Sequence, residues 1–304
     1  MSTAPAPTTS KPNNKAGQQI GMGQVLEQVR QLTEIGMANV VEFSSVTKTY
    51  NEGTKQAFTA IRDVNFVVAD LPKKGEFISV LGPSGCGKST ILRLIAGLAP
   101  QHPASSGEVS VLGKPVAGPG ADRGMVFQDY TSLDHRTVLE NITFGLECQG
   151  VGRQERFELG KLWIRRIGLN VDTDCEKFPH ELSGGMRQRV AIARTLILKP
   201  RIILMDEPFG ALDPVTRMNM QDLLIELWRE VRATVFFVTH SIEEAVFLGD
   251  RSYVMGRAPG TILRELTIEP SDRPAAAMQK ELRFQETVSF LRDLITQLEE
   301  PKKL

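Results

Sequence analysis

Three short stretches carry residue types whose spacing can do chemistry on a polyphosphate. The first, Leu81-Gly-Pro-Ser-Gly-Cys-Gly-Lys-Ser-Thr90, fills the spacing of a phosphate-binding loop with Gly82, Gly87, Lys88 and Ser89. Its glycines let successive backbone N–H groups, and the start of the following helix, turn toward an anion. Lys88 adds a point charge for the terminal phosphates, and the Ser89 hydroxyl suits Mg2+. The second, Ile202-Ile-Leu-Met-Asp-Glu-Pro208, is an apolar run ending in two carboxylates. As a buried strand it delivers Asp206 to the far side of the Mg2+ held by Ser89, and Glu207 to a water in line with the last phosphate. The third, Leu182-Ser-Gly-Gly-Met-Arg-Gln-Arg-Val190, sets two glycines behind a serine at the head of a helical run. That makes a second anion-binding helix N-terminus. One nucleotide site cannot easily use both termini from a single chain.

The elements around these stretches follow from hydrophobic periodicity. A β-prone run at 77–81 leads into the phosphate loop, and Ile91, Leu94, Ile95 and Leu98 recur at helical spacing after it. Strands are expected at 40–43, 58–61 and 64–68, in a Gly/Pro-punctuated stretch at 107–120, and as a buried strand at 124–128. Residues 129–200 read as helical, with candidates at 137–149, 153–167 and 185–198. Short strands return at 201–206, 234–239 and, as the final one, 251–255, with helices at 214–231 and 241–248 between them. Strands alternating with helices imply an α/β fold with a mostly parallel core sheet, and the helical middle reads as an inserted subdomain.

Composition narrows the class. Of 304 residues, 41% are hydrophobic and 24% charged, enough to build a sizeable core. Thirty-six basic residues balance thirty-six acidic ones, so no basic footprint marks a nucleic-acid partner. Three scattered cysteines without a C-x-x-C pair argue against a disulfide framework and a zinc site. Cys86 lies inside the phosphate loop, where Lys88 and backbone dipoles favour a reactive thiolate; an inert residue chosen for fit is the equal alternative. No apolar run is long enough to span a bilayer. Residues 1–17 read as a disordered tail and 18–39 as an amphipathic helical extension on Val25, Leu26, Val29, Leu32 and Ile35. A catalytic domain is expected over 40–270, with its helical subdomain at about 129–200. A C-terminal extension over 271–304 holds a second amphipathic helix at 278–298.

Taken in order, the phosphate loop, Leu182-Ser-Gly-Gly185 and the Asp206-Glu207 strand resemble the signature of ATP-binding cassette (ABC) proteins. The resemblance covers about residues 40–265 and implies a P-loop NTPase of ABC type, with an antiparallel β subdomain beside the parallel core. It implies ATP with Mg2+ along the loop (Gly82, Pro83, Ser84, Gly85, Cys86, Gly87, Lys88, Ser89 and Thr90). Tyr50 resembles the aromatic that stacks on adenine, a role Phe58 could also take. Gln128 resembles the glutamine that senses Mg2+ and the attacking water. His240 resembles the histidine that contacts the γ-phosphate, and Ala211-Leu-Asp213 the loop that crosses between subunits. Ser183, Gly184 and Gly185 would then complete the site of a second copy in a head-to-tail ATP sandwich.

The runs Asp206-Glu-Pro-Phe-Gly-Ala-Leu-Asp213 and Ala258-Pro-Gly-Thr-Ile262 look like the nitrate/sulfonate/taurine branch of importer ATPases. That resemblance implies separate transmembrane permease subunits, indirectly a solute-binding protein, and a peripheral place on the cytoplasmic face of the plasma (inner) membrane. An exporter subunit and a soluble cassette of translation or repair are the alternatives. Asp129-Tyr-Thr-Ser-Leu-Asp-His-Arg136 is more polar than the family's usual run, so a charged docking site for the permease, with Arg136 in it, is expected there.

Overall fold

The computed structural model describes residues 39–71, 75–129, 131–269 and 271–299; the tail and helical extension expected before residue 39 lie outside them. The chain enters as an antiparallel hairpin of β1 (Asn39–Tyr50) and β2 (Phe58–Ala69). Both strands are longer than their hydrophobic patterns indicate. In β1, register irregularities after Phe43 and a left-handed Ser45 (φ 49°) interrupt the in–out alternation, which hides everything beyond residue 43. β2 is one strand where two were expected, at 58–61 and 64–68.

β3 (Phe77–Leu81) feeds the phosphate loop and α1 (Lys88–Ala96), and β4 (Ser106–Val111), β5 (Lys114–Pro115) and β6 (Arg123–Val126) follow. The chain is then helical: α2 (Val138–Cys148), α3 (Arg153–Arg166), α4 (Val171–Asp174) and α5 (Gly184–Leu196). Thr137 and Glu140 close a reciprocal capping box that starts α2. The last part runs β7 (Ile202–Asp206), α6 (Pro214–Val231), β8 (Thr234–Val238), α7 (Ile242–Leu248), β9 (Arg251–Met255), β10 (Ile262–Thr267), α8 (Ala275–Met278) and α9 (Leu282–Glu299).

Two expectations are corrected. β9 is not the final strand: β10 pairs antiparallel with it, and its half-exposed, mixed residues give no clean alternation. β6 stops at Val126, its one buried residue, so 124–128 is not a buried strand.

Two sheets result. One is antiparallel, in the order β2-β1-β4-β5; the other has the order β10-β9-β3-β8-β7-β6 and is parallel from β9 to β6. The central strands β3, β7 and β8 are buried on both faces, which explains their near-continuous apolar sequence. Ile78, Val80, Leu204 and Phe236 point into a core shared with α1 and the antiparallel sheet. Phe77, Leu81, Met205 and Phe237 point to the opposite core, shared with the helices. Four neighbouring strands, β3, β8, β7 and β6, therefore end along one edge, and open αβ sheets hold ligands outside the carboxyl ends of their strands.

Candidate active site

Leu81 ends β3, and the chain turns at once through left-handed glycines: Gly82 (φ 154°), Gly85 (φ 76°) and Gly87 (φ 96°). Gly87 occupies the N-cap of α1 with no side-chain cap, so the first N–H groups of that helix face the loop. Lys88 is buried, and its Nζ donates to the carbonyls of Gly82 (2.8 Å) and Pro83 (3.0 Å). Burial holds its amine below the usual lysine range, against the opposing pull of Cys86, Glu207 and Asp206. Cys86 is fully buried behind the loop. Burial pushes its thiol up, so the reactive-thiolate reading is corrected and the small inert residue remains.

Ser89 Oγ donates to Asp206 Oδ1 at 2.7 Å, which joins the start of α1 to the end of β7 across the intervening strand β8. A hydrogen bond to a charged acceptor is worth about 1.5–3 kcal/mol. Arg93 approaches the other oxygen, Oδ2, at 3.6 Å. Arg93 follows Ser89 by four residues, so both lie on one face of α1. The four-residue spacing of Ser89 and Arg93 is legible in the sequence. The donor set, one hydroxyl and one carboxylate beside a phosphate cradle, fits Mg2+, which takes few protein ligands alongside phosphate oxygens. Among the described residues no cluster of three His, Cys, Asp or Glu side chains could hold a metal unaided.

Glu207 follows Asp206 with φ 48°, a left-handed conformation that costs a non-glycine residue on the order of 1–3 kcal/mol. Its surroundings hold it there. Its N–H donates to Val238 O (3.0 Å), its carbonyl accepts from Gly210 N–H (3.2 Å), and buried Gln188 on α5 donates to the Pro208 carbonyl. The Glu207 carboxylate meets His240 Nε2 at 2.5 Å, and His240 Nδ1 lies 3.5 Å from Lys88 Nζ. Two sets of contacts, Ser89–Asp206 and Lys88–His240–Glu207, thus lie side by side through adjacent residues at the ends of β3, β7 and β8.

The remaining expected residues divide. Tyr50 ends β1 with its hydroxyl 3.1 Å from Thr90 Oγ1, at the edge of the loop, while Phe58 pairs opposite it in the ladder and stays half exposed. Gln128 is exposed, and a Cβ on Gly210 would sit 4.0 Å from its Nε2, which puts it beside the Glu207 turn. Asp213 caps α6, accepting from the N–H groups of Val215 (3.1 Å) and Thr216 (3.0 Å). Ser183 is exposed and caps α5, accepting from Met186 N–H at 3.3 Å. Among the described residues no hydrogen bond or ion pair links Ser183, Gly184 or Gly185 to the phosphate loop.

Arg136 is not a free docking charge. It forks onto Glu147 (3.0 and 3.2 Å) and lies over the Phe144 ring at 4.8 Å, within the helical region. Asp134 and His135 beside it remain exposed.

The ABC transporter family pattern matches residues 62–210. The nitrate import ATP-binding protein NrtD of Synechocystis sp. is 47% identical over 221 residues, 72% of this chain and 80% of its own length. The taurine import ATP-binding protein TauB of Rhizobium johnstonii is 48% identical over 200 residues, 66% of this chain and 74% of its own. Among solved structures, the dimeric post-hydrolysis state of the ATP-binding cassette MJ0796, bound to ADP and Pi, superposes with a TM-score of 0.63. It is 34% identical and covers 75% of this chain and 99% of that one. This chain belongs to the ABC transporter family as an ATP-binding protein, with the P-loop α/β fold of that family.

Proposed function

We propose that this chain is the ATP-hydrolysing subunit of an ABC importer for a small solute of the nitrate, sulfonate or taurine kind. The observation that carries the chemistry is the pair of contacts at adjacent residues: Asp206 to Ser89, and Glu207 to His240. In this reading the loop from Gly82 to Thr90 cradles the phosphates, and Lys88 carries charge to the β- and γ-groups. Ser89, Asp206 and Gln128 would hold Mg2+, which when bound neutralises charge on the phosphate oxygens. Glu207 orients and deprotonates the attacking water, His240 steadies Glu207 and the γ-phosphate, and Tyr50 lies against the base.

The cassette MJ0796 was solved as a dimer, and a head-to-tail pair of this chain would bring Ser183, Gly184 and Gly185 of one copy to the phosphates of the other. Among the described residues no helix is long and apolar enough to cross a membrane. Separate permease subunits would supply the path, fed by a solute-binding protein, with this chain peripheral to the cytoplasmic face. Asp134 and His135 are candidates for the docking contact. The import names of the relatives favour import over export.

Glu207→Gln tests the assignment. Turnover should fall by about a hundredfold or more, the range for losing a general base. ATP should still bind, and an ATP-held dimer should accumulate on gel filtration. Turnover near wild type would remove Glu207 from its role.

A further inference from the structure

Two loops flank the Glu207 turn: residues 211–213, leading into α6, and residues 239–241, leading into α7. Beneath them lies a charged pair that the nucleotide site does not use. Arg217, in the first turns of α6, donates through Nη2 to the Leu212 carbonyl at 3.0 Å, and its own N–H donates to the Asp213 carbonyl at 2.9 Å. Its Nε lies 3.6 Å from Glu244 Oε1. Glu244, in the first turn of α7, is only 4% exposed.

The second oxygen of Glu244 accepts from Thr239 Oγ1 at 2.5 Å, and Thr239 Oγ1 accepts in turn from Ser241 N–H at 3.0 Å. Ser241 Oγ accepts from Glu244 N–H at 3.1 Å. Both neighbours of His240 are therefore tied to Glu244, and Glu244 is tied through Arg217 to the carbonyl preceding Asp213. Burial pushes the Glu244 carboxyl up, while the Thr239 hydroxyl and Arg217 oppose it. A carboxylate this deep is costly to leave unpaired, so the two loops are held to a common geometry.

We propose that Arg217 and Glu244 are positioning residues that hold the Leu212–Asp213 loop and the His240 turn as one unit, fixing the imidazole against Glu207 and linking it to whatever engages Asp213. The proposal rests on the reading of His240 given above.

The test uses the full chain with Arg217→Met, Glu244→Gln and the double variant, measuring kcat, KM for ATP, Tm and the His240 imidazole NMR resonance. Each single change should lower kcat about tenfold, as a small misplacement in a catalytic centre does, with KM within about twofold. The double variant should fall no further than the worse single, because both changes break one link. The His240 resonance should shift in all three, although none alters the site itself. If Arg217→Met loses its fold by stranding the buried Glu244 carboxylate, the neutral double carries the test, with Tm near wild type and the same loss of kcat. Wild-type kcat in the folded double variant, or single losses that multiply to about a hundredfold, overturns the proposal. His240→Ala runs in parallel. If it keeps full turnover, the assigned role of His240 has failed; if it loses turnover while the double variant keeps it, only the bridge is rejected.

Discussion

Two loops in this chain end at helix N-termini fit for phosphate, and they are built in opposite ways. The phosphate loop is sealed into its own fold. A Cβ on Gly87 would fall 2.3 Å from Ile61 Cγ2 and 3.0 Å from the Ala60 carbonyl, and one on Gly82 would fall 2.9 Å from the Met255 carbonyl. Both glycines hold positive φ, and buried Lys88 is bonded back to the loop. The loop at Ser183 is open. Ser183 is exposed, and a Cβ on Gly184 would meet nothing within 4 Å. Gly185 would touch only the Thr216 methyl, at 3.1 Å. Gly82 and Gly87 of the first loop are thus required by this chain's own packing. Nothing among the described residues requires Gly184, and its small size fits the close approach of the second copy proposed above.

Substitutions that add one methyl group sharpen the contrast. The largest effect is expected at Gly87→Ala, which combines collision with Ile61 and a left-handed backbone. Overpacking and positive-φ strain together cost about 2–4 kcal/mol. At roughly 2–4 °C per kcal/mol for a chain of this size, the melting temperature should drop on the order of 4–16 °C, and ATP titration should show lost binding. An unchanged melting temperature would mean that the loop is not sealed as described.

A smaller effect is expected at Asp213→Ala, which removes the cap of α6 and lowers thermal stability slightly. Hydrogen bonding from Thr216 holds the Asp213 carboxyl below the usual range. Its contribution is therefore full above the unfolded pKa of about 3.9 and is lost as pH falls through the lower folded value. Melts at neutral and strongly acidic pH should show a wild-type-to-variant gap that closes in acid. A gap that widens in acid would contradict the cap.

The same contrast explains what could be read from sequence. The phosphate loop, the 202–206 strand and the helix opening at Ser183 are continuous stretches, so spacing and hydrophobic pattern were enough to place them. β10 was missed because an edge strand with half-exposed, mixed residues shows no clean period. Arg217 and Glu244 come from different helices, and no local pattern in sequence points one at the other. The packing of Cys86 and Arg136 is hidden from sequence for a related reason. A charge or thiol in a functional stretch invites a functional role, and only packing shows that Cys86 is buried and Arg136 is occupied by Glu147.

Gly184→Ala tests the central claim, that this chain carries one half of a site completed by another copy. Alanine is favoured over glycine within a helix by up to about 1 kcal/mol, so the melting temperature should hold or rise. ATP binding to the isolated chain should not change. Hydrolysis, measured against protein concentration, should fall at least about tenfold, with the ATP-held dimer lost. Hydrolysis equal to wild type, or a loss that merely follows a lowered melting temperature and weakened ATP binding, would contradict the account.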